Sequence, residues 1–145
     1  MIQPFRDIQA INALFNDPRW AHWTLMGAVT WLDAEEWVRS GQGIFLGDER
    51  GGFLNVNEGD GIWSFHTAFM PEARGQRVGI LGMQAASWMF RNTDCIALRT
   101  FIETQNRHSR ALGEALGFIS TGEGVIFERP GSWYVLDIKQ WARNL

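Results

Sequence analysis

The run Phe69-Met70-Pro71-Glu72-Ala73-Arg74-Gly75-Gln76-Arg77-Val78-Gly79 joins an apolar segment to one with helical periodicity. Before it, Ile62 to Phe69 is rich in aromatic and β-branched residues and is bounded by a glycine–acid turn and by Pro71, which predicts a central strand. After it, Val78, Leu81, Ala85, Trp88 and Met89 recur at spacings of three and four, predicting a helix from about Gly75 to Arg91 with one apolar face. A glycine-containing turn between a strand and a helix leaves backbone N–H groups unpaired at the positive end of the helix dipole. Arg74 and Arg77 add positive charge at the same place, so the junction reads as a seat for phosphate or pyrophosphate. The plain alternative is a tight turn at Gly75 beside solvated arginines.

Downstream, Cys95 to Ile102 reads as a strand and Asn106 to Leu116 as a helix, with Asn106 as its N-cap and Gly117 as its left-handed C-cap. Ser109 shares a face of that helix with Gly113, leaving a narrow groove for a chain-like ligand. Phe118 to Glu128 and Trp133 to Ile138 read as closing strands, with Glu123-Gly124 and Pro130-Gly131 as turns. Upstream, Asp7 to Phe15 is a first short helix, and Asp33 caps a second that runs to about Arg39. Gly43 to Gly47 and Gly52 to Val56 form a hairpin around Asp48-Glu49-Arg50-Gly51. This order predicts an α+β fold, an α/β sandwich: a mixed, mostly antiparallel sheet with helices on both faces. At 145 residues the chain is read as a single domain, 1–145.

Composition narrows the function classes. A net charge of −3 and a pI near 5.6 leave no overall basic face for general nucleic-acid binding. The lone Cys95 has no internal disulfide partner, and His22, His66 and His108 lie far apart without thiols, so no metal site is expected. No apolar run approaches the ~20 residues of a membrane span, and the N-terminus lacks a signal-peptide layout. A cytoplasmic protein with no membrane partner is therefore expected.

The two helix junctions together resemble the GCN5-related N-acetyltransferase (GNAT) superfamily. In that family Arg/Gln-x-x-Gly-x-Gly/Ala opens the long helix and binds the pyrophosphate of acetyl-coenzyme A, after a strand whose splayed backbone pairs with pantetheine. The matching run is Arg74-Gly75-Gln76-Arg77-Val78-Gly79, preceded by the strand Ile62 to Phe69. A later family pattern, Asn, two residues, a small residue and an aliphatic-Tyr-x-x-Leu-Gly-Phe ending, matches Asn106, Ser109 and Leu112-Gly113-Glu114-Ala115-Leu116-Gly117-Phe118. The resemblance covers Ile62 to Phe118 by motif and the rest by element order.

It implies acetyl-CoA as cofactor, bound by Ala68, Phe69 and Met70 at the strand end, by Arg74, Gly75, Gln76, Arg77, Val78 and Gly79 at the turn, and by Asn106 and Ser109. Two positions depart from the pattern. Arg77 replaces the middle glycine of the pyrophosphate loop, and Gly113 replaces the tyrosine whose hydroxyl protonates the departing thiolate. Substitutes for the catalytic groups are His66 as base, Ser109 as a hydrogen-bond partner of the sulfur, and Tyr134 as the acid; Glu103 is a second candidate base.

Of the eight tryptophans, Trp63, Trp88 and Trp133 fit the core by pattern. Trp20, Trp23, Trp31 and Trp37 cluster where such acetyltransferases build the acceptor side, so a pocket, a protein interface or ordinary core packing are the readings for them. The first function expected is an N-acetyltransferase acting on a small-molecule or protein amine. The second is a non-catalytic binding module. For the latter, Trp88-Met89-Phe90-Arg91-Asn92-Thr93-Asp94-Cys95 followed by Asn106-Arg107 resembles acetyltransferase-like proteins carried by bacteriophages, implying a virion assembly partner or a homodimer.

Overall fold

The computed structural model describes residues 2–20 and 31–145. The expectations for His22 and Trp23 lie outside the described residues. Helix α1 (Ile8–Phe15) begins where the Asp7 carboxylate accepts the Ala10 N–H, and it buries Ile11, Leu14 and Phe15. Helix α2 (Glu35–Ser40) starts one residue later than Asp33 predicts. Asp33 still accepts the Glu35 N–H at 3.0 Å, and its other bond, from the Asn12 amide, ties α2 to α1.

Strands β1 (Gly43–Asp48) and β2 (Gly51–Gly59) form the expected hairpin, and β3 (Ile62–Phe69) follows. A one-turn 3-10 segment, Pro71–Ala73, leads into α3 (Gln76–Asn92), capped by Gly75. Then come β4 (Ala97–Glu103), α4 (Arg107–Leu116), β5 (Ile119–Ile126), β6 (Arg129–Asp137) and α5 (Ile138–Arg143). The six strands form one sheet in the order β1-β2-β3-β4-β6-β5, antiparallel throughout except between β3 and β4. Two parallel neighbours need a crossover, and α3 supplies it.

Side-chain alternation splits the apolar residues between the two faces of this sheet. On one face Phe53, Phe65, Leu98 and Leu136 pack with Ala85 and Met89 of α3 and Leu116 of α4. On the other, Phe45, Leu54 and Ala68 pack with Ile11 and Phe15 of α1 and Val38 of α2. Helices therefore cover both faces.

The closing hairpin differs from the expectation. Glu123-Gly124 and Pro130-Gly131 are not turns: they lie inside β5 and β6, paired Gly124↔Gly131 and Val125↔Pro130. The turn falls at Phe127 and Glu128, both with positive φ (48° and 64°). Gly131 is required by packing, since an added Cβ would run into the Ile102 carbonyl and the Phe101 ring. Helix α5 has no counterpart in the sequence reading; its six residues carry too little periodicity, and Asp137, which caps it by accepting the Gln140 N–H, also ends a strand.

Helix α4 begins at the predicted cap, where the Asn106 amide oxygen accepts the Ser109 N–H at 3.2 Å, and ends at Gly117 with φ of 93°. Asn106→Ala removes that acceptor, and the expected cost is about 1 kcal/mol, read as a lower urea midpoint with an unchanged slope.

Candidate functional site

The parallel pairing of β3 with β4 is short: Ile62↔Ala97, Trp63↔Leu98 and Ser64↔Arg99. Beyond Ser64, β3 stays on β2 as far as Phe69↔Gly51, and beyond Arg99, β4 stays on β6 as far as Glu103↔Gly131. Between them the sheet opens into a V, whose two arms face each other with backbone donors and acceptors that have no ladder partner across the gap. A cleft enclosing about 740 Å³, its open mouth included, fills the V.

The cleft passes through the sheet. From the α4 side it is walled by Asn106, Ser109, Leu112, Gly113 and Leu116, and from the α1 side by Phe15, His66, Phe101 and Glu103. Alternation explains the division: His66 lies on the same face of β3 as Ala68, and Phe101 and Glu103 lie opposite Leu98 and Ile102 on β4. Gly113 leaves the α4 wall thin, and a Cβ there would come within 3.3 Å of the Ile102 Cδ1.

The open end of the V is positively polarised. Because β3 and β4 are parallel, the helices that follow each of them, α3 and α4, both present their N-termini at that end. Among the described residues no side chain caps α3, and Gly75 takes a φ of 120° that favours glycine. Added Cβ atoms at Gly75 or Gly79 would meet nothing within 4 Å among the described residues, which leave the first turn open to close approach. Gln76 and Arg77 are exposed there and Val78 is half-buried against the core.

Arg74 is held otherwise than the sequence predicts. Its Nε donates to the Phe69 carbonyl at 3.1 Å, and its guanidinium lies 5.3 Å from the Trp20 ring centroid. The side chain is thus turned back over the end of β3. Ala68 and Phe69 are buried, and the Met70 N–H already donates to the Arg50 carbonyl, so Met70 brings no free N–H to a ligand.

Of the proposed catalytic residues, the structure brings His66 and Ser109 to the cleft. It does not bring Tyr134, which is 7% exposed in the core beneath α3 and α4 and is absent from the cleft wall. The cause is strand parity: Tyr134 sits opposite Thr100, on the face with Leu98 and Leu136, while Trp133 takes the other face. Glu103 reaches the cleft, but its carboxylate pairs with Arg129 at 3.3 Å. The His66 ring keeps solvent-exposed surface, yet the surrounding protein strips part of its hydration and holds its pKa below the ordinary histidine value, with Glu58 pulling the other way. Its Nε2 lies 2.8 Å from the Ser64 hydroxyl.

The tryptophan expectations also divide. Trp20 is 4% exposed and donates to the Leu14 carbonyl, so it is core. Trp37 is half-buried in the α1-side core, and Trp31 is 61% exposed. Trp63 is core as predicted, Trp88 packs partly buried against the core, and Trp133 is a half-buried sheet residue between Phe101 and the Arg99 guanidinium. Arg99 is held in turn by two hydrogen bonds to Glu58. Phe15, Thr67, Thr100 and Phe101 line the cleft without having been singled out, because only the V brings α1, β3 and β4 together. Cys95 takes no part: it lies off the cleft wall, and burial pushes its thiol up to about 12.

No protein-family model matches the chain, and no curated protein matches it in sequence. Solved structures do. A spermidine N-acetyltransferase from Vibrio cholerae, in complex with CoA and spermine, superposes with a TM-score of 0.81 at 12% identity, covering 98% of this chain and 97% of that one. A ribosomal-protein-S5-alanine acetyltransferase from Vibrio fischeri gives 0.73 at 15% identity over 97% and 93%. An acetyltransferase (GNAT family) from Bacillus anthracis gives 0.71 at 14% identity over 94% and 93%. The fold of this chain is the GNAT fold.

Proposed function

We propose that the protein is an acetyl-CoA-dependent N-acetyltransferase that transfers the acetyl group directly to an amine. The observation that carries this reading is the V between the parallel strands β3 and β4, with two helix N-termini at its open end and an imidazole on its wall. The chain's residues fit such a ligand. The Gln76 and Arg77 N–H groups that open α3 suit a pyrophosphate, and the open Gly75 and Gly79 let it come close, while the Val78 N–H is already given to the Gly75 carbonyl at 3.1 Å. The free edges of the V suit the amides of pantetheine, and Asn106 and Ser109 border the same path.

Acetyl-CoA supplies the acetyl group as a reactive thioester; the chain's part is to orient it and to manage the proton. His66, whose lowered pKa favours the neutral imidazole, takes the proton of the attacking amine as the N–C bond forms and the C–S bond breaks. Ser109, which lines the α4 wall where Gly113 carries no hydroxyl, is the residue assigned to hydrogen-bond the departing sulfur. Arg77, at the position of the loop's middle glycine, adds a charge for the phosphates.

Titration with coenzyme A tests the reading. At a hundredfold excess over Kd the ligand is expected to add about 2.7 kcal/mol, a rise in melting temperature of roughly 5–10 °C. No shift at millimolar coenzyme removes the reading and leaves the non-catalytic binding module. Polyamines, aminoglycosides and a ribosomal-protein alanine, the acceptors for which acetyltransferases of similar fold are named, make the first panel for turnover.

A further inference from the structure

His66 is not alone on its strand. Ser64, two residues earlier, projects from the same face of β3, and its hydroxyl stands 2.8 Å from the His66 Nε2. The same hydroxyl lies 3.4 Å from the Val56 carbonyl of β2, which can only accept. A serine hydroxyl has one hydrogen. With that hydrogen directed to Val56, the oxygen must accept from His66, so the ring carries its own hydrogen on Nε2 and its lone pair on Nδ1.

Ser64 also sits at the vertex of the V: it is the last β3 residue paired with β4, opposite Arg99. That place is braced from both neighbouring strands. Val56 is its register partner on β2, while Arg99 on β4 is locked by Glu58 of β2 at 2.9 Å. With its backbone braced on both sides, the hydroxyl has a fixed base from which to hold the imidazole, so the contact bears on the ring's orientation as well as on its tautomer.

We propose that Ser64 is the positioning residue of the catalytic base: it holds His66 as the Nε2–H tautomer and makes Nδ1 the atom that receives the acceptor's proton. This rests on the acetyltransferase reading for its catalytic part only. In the step, the amine nitrogen gives its proton to Nδ1 while it forms the bond to the acyl carbon; the C–S electron pair leaves with the thiolate, and the imidazolium later returns the proton to solvent.

The tautomer is tested on the protein alone, by long-range proton–nitrogen NMR of the imidazoles well above their pKa. The chain has three histidines, and His66→Gln identifies the signals to be read. The expected result is a dominant Nε2–H pattern for His66, a mixture of both tautomers in Ser64→Ala, and recovery in Ser64→Thr. An Nδ1–H or evenly mixed pattern in the unsubstituted protein overturns the proposal, and needs no variant to fold. Activity gives the second readout: Ser64→Ala is expected to lower kcat roughly three- to tenfold with the KM for acetyl-CoA unchanged, and Ser64→Thr to restore most of it. An unchanged kcat in Ser64→Ala overturns the positioning role. A protein that shows the Nε2–H pattern but transfers no acetyl group to any amine overturns the acetyltransferase reading and leaves the tautomer assignment standing.

Discussion

His66→Ala is expected to lower kcat for acetyl transfer by about a hundredfold or more while leaving coenzyme affinity near its original value, because a positioned general base contributes roughly 10²–10⁴-fold. The argument is geometric first. Among the described residues on the α1-side wall of the cleft, the other titratable side chain is Glu103, and its carboxylate is engaged by Arg129. Among the described residues, no other neutral base lines that wall of the cleft. The pH profile supplies an independent check. Loss of hydration lowers the His66 pKa below 6.5, and Glu58 only partly offsets it, so the neutral, proton-accepting form persists into mildly acid solution. The acid limb of the rate profile is therefore expected below pH 6.5. The same shift has a stability consequence: around and below pH 6.5 the unfolded chain binds the proton more readily than the folded one, so His66 makes folding less favourable as pH falls. A limb at or above pH 7 that survives in His66→Ala would assign the titration to another group.

Phe53→Ala is expected to have the largest effect on stability, about 3–5 kcal/mol, a large part of the roughly 5–15 kcal/mol that holds a domain folded. Phe53 is 0% exposed at the centre of β2. Its ring stacks on Phe65 at 5.0 Å and meets Phe69 edge-on at 5.4 Å, so it supports the β3 arm of the V from beneath. Above it α3 comes close at Gly82, where an added Cβ would lie 3.4 Å from the ring and 2.9 Å from Leu116. Helix α3 cannot easily settle into the cavity, because α4 packs beside it. The measurement is urea unfolding, with Val125→Ala, 68% exposed at the sheet edge, as the control expected to change stability by less than about 0.5 kcal/mol. A loss under 1 kcal/mol for Phe53→Ala would mean that the two helices do collapse into the space. Phe65 also lines the cleft, so the variant is expected to weaken coenzyme binding without touching a polar contact.

Local chemistry was legible along most of the chain. Asn106 caps α4 as its position predicts, and Gly117 ends that helix in the left-handed conformation that its sequence position predicts. The span Ile62 to Phe69 is a strand from end to end. These features depend on residues within a few positions of one another, where side-chain hydrogen bonds and glycine's freedom act directly on the backbone. The same local rules failed at Glu123-Gly124 and Pro130-Gly131. There the glycines answer long-range crowding, Gly131 by the β4 backbone and Gly124 by the Trp133 ring, and not a change of chain direction.

From the sequence alone came the α+β fold, the glycine that starts α3, and His66 and Ser109 as candidates, which the structure places on the cleft wall; each follows from residue order, period and type. Tertiary structure decided the rest. The V exists because β3 leaves β4 after three paired residues while each keeps its other neighbour, a matter of register between segments more than thirty positions apart. Register and strand parity also turned Tyr134 into the core and Trp133 to the opposite face, set the Ser64 hydroxyl beside the His66 Nε2, and laid Arg74 on Trp20. A shift of one residue in a strand exchanges its two faces, and that choice is made by the burial of the whole sheet, which no local pattern encodes.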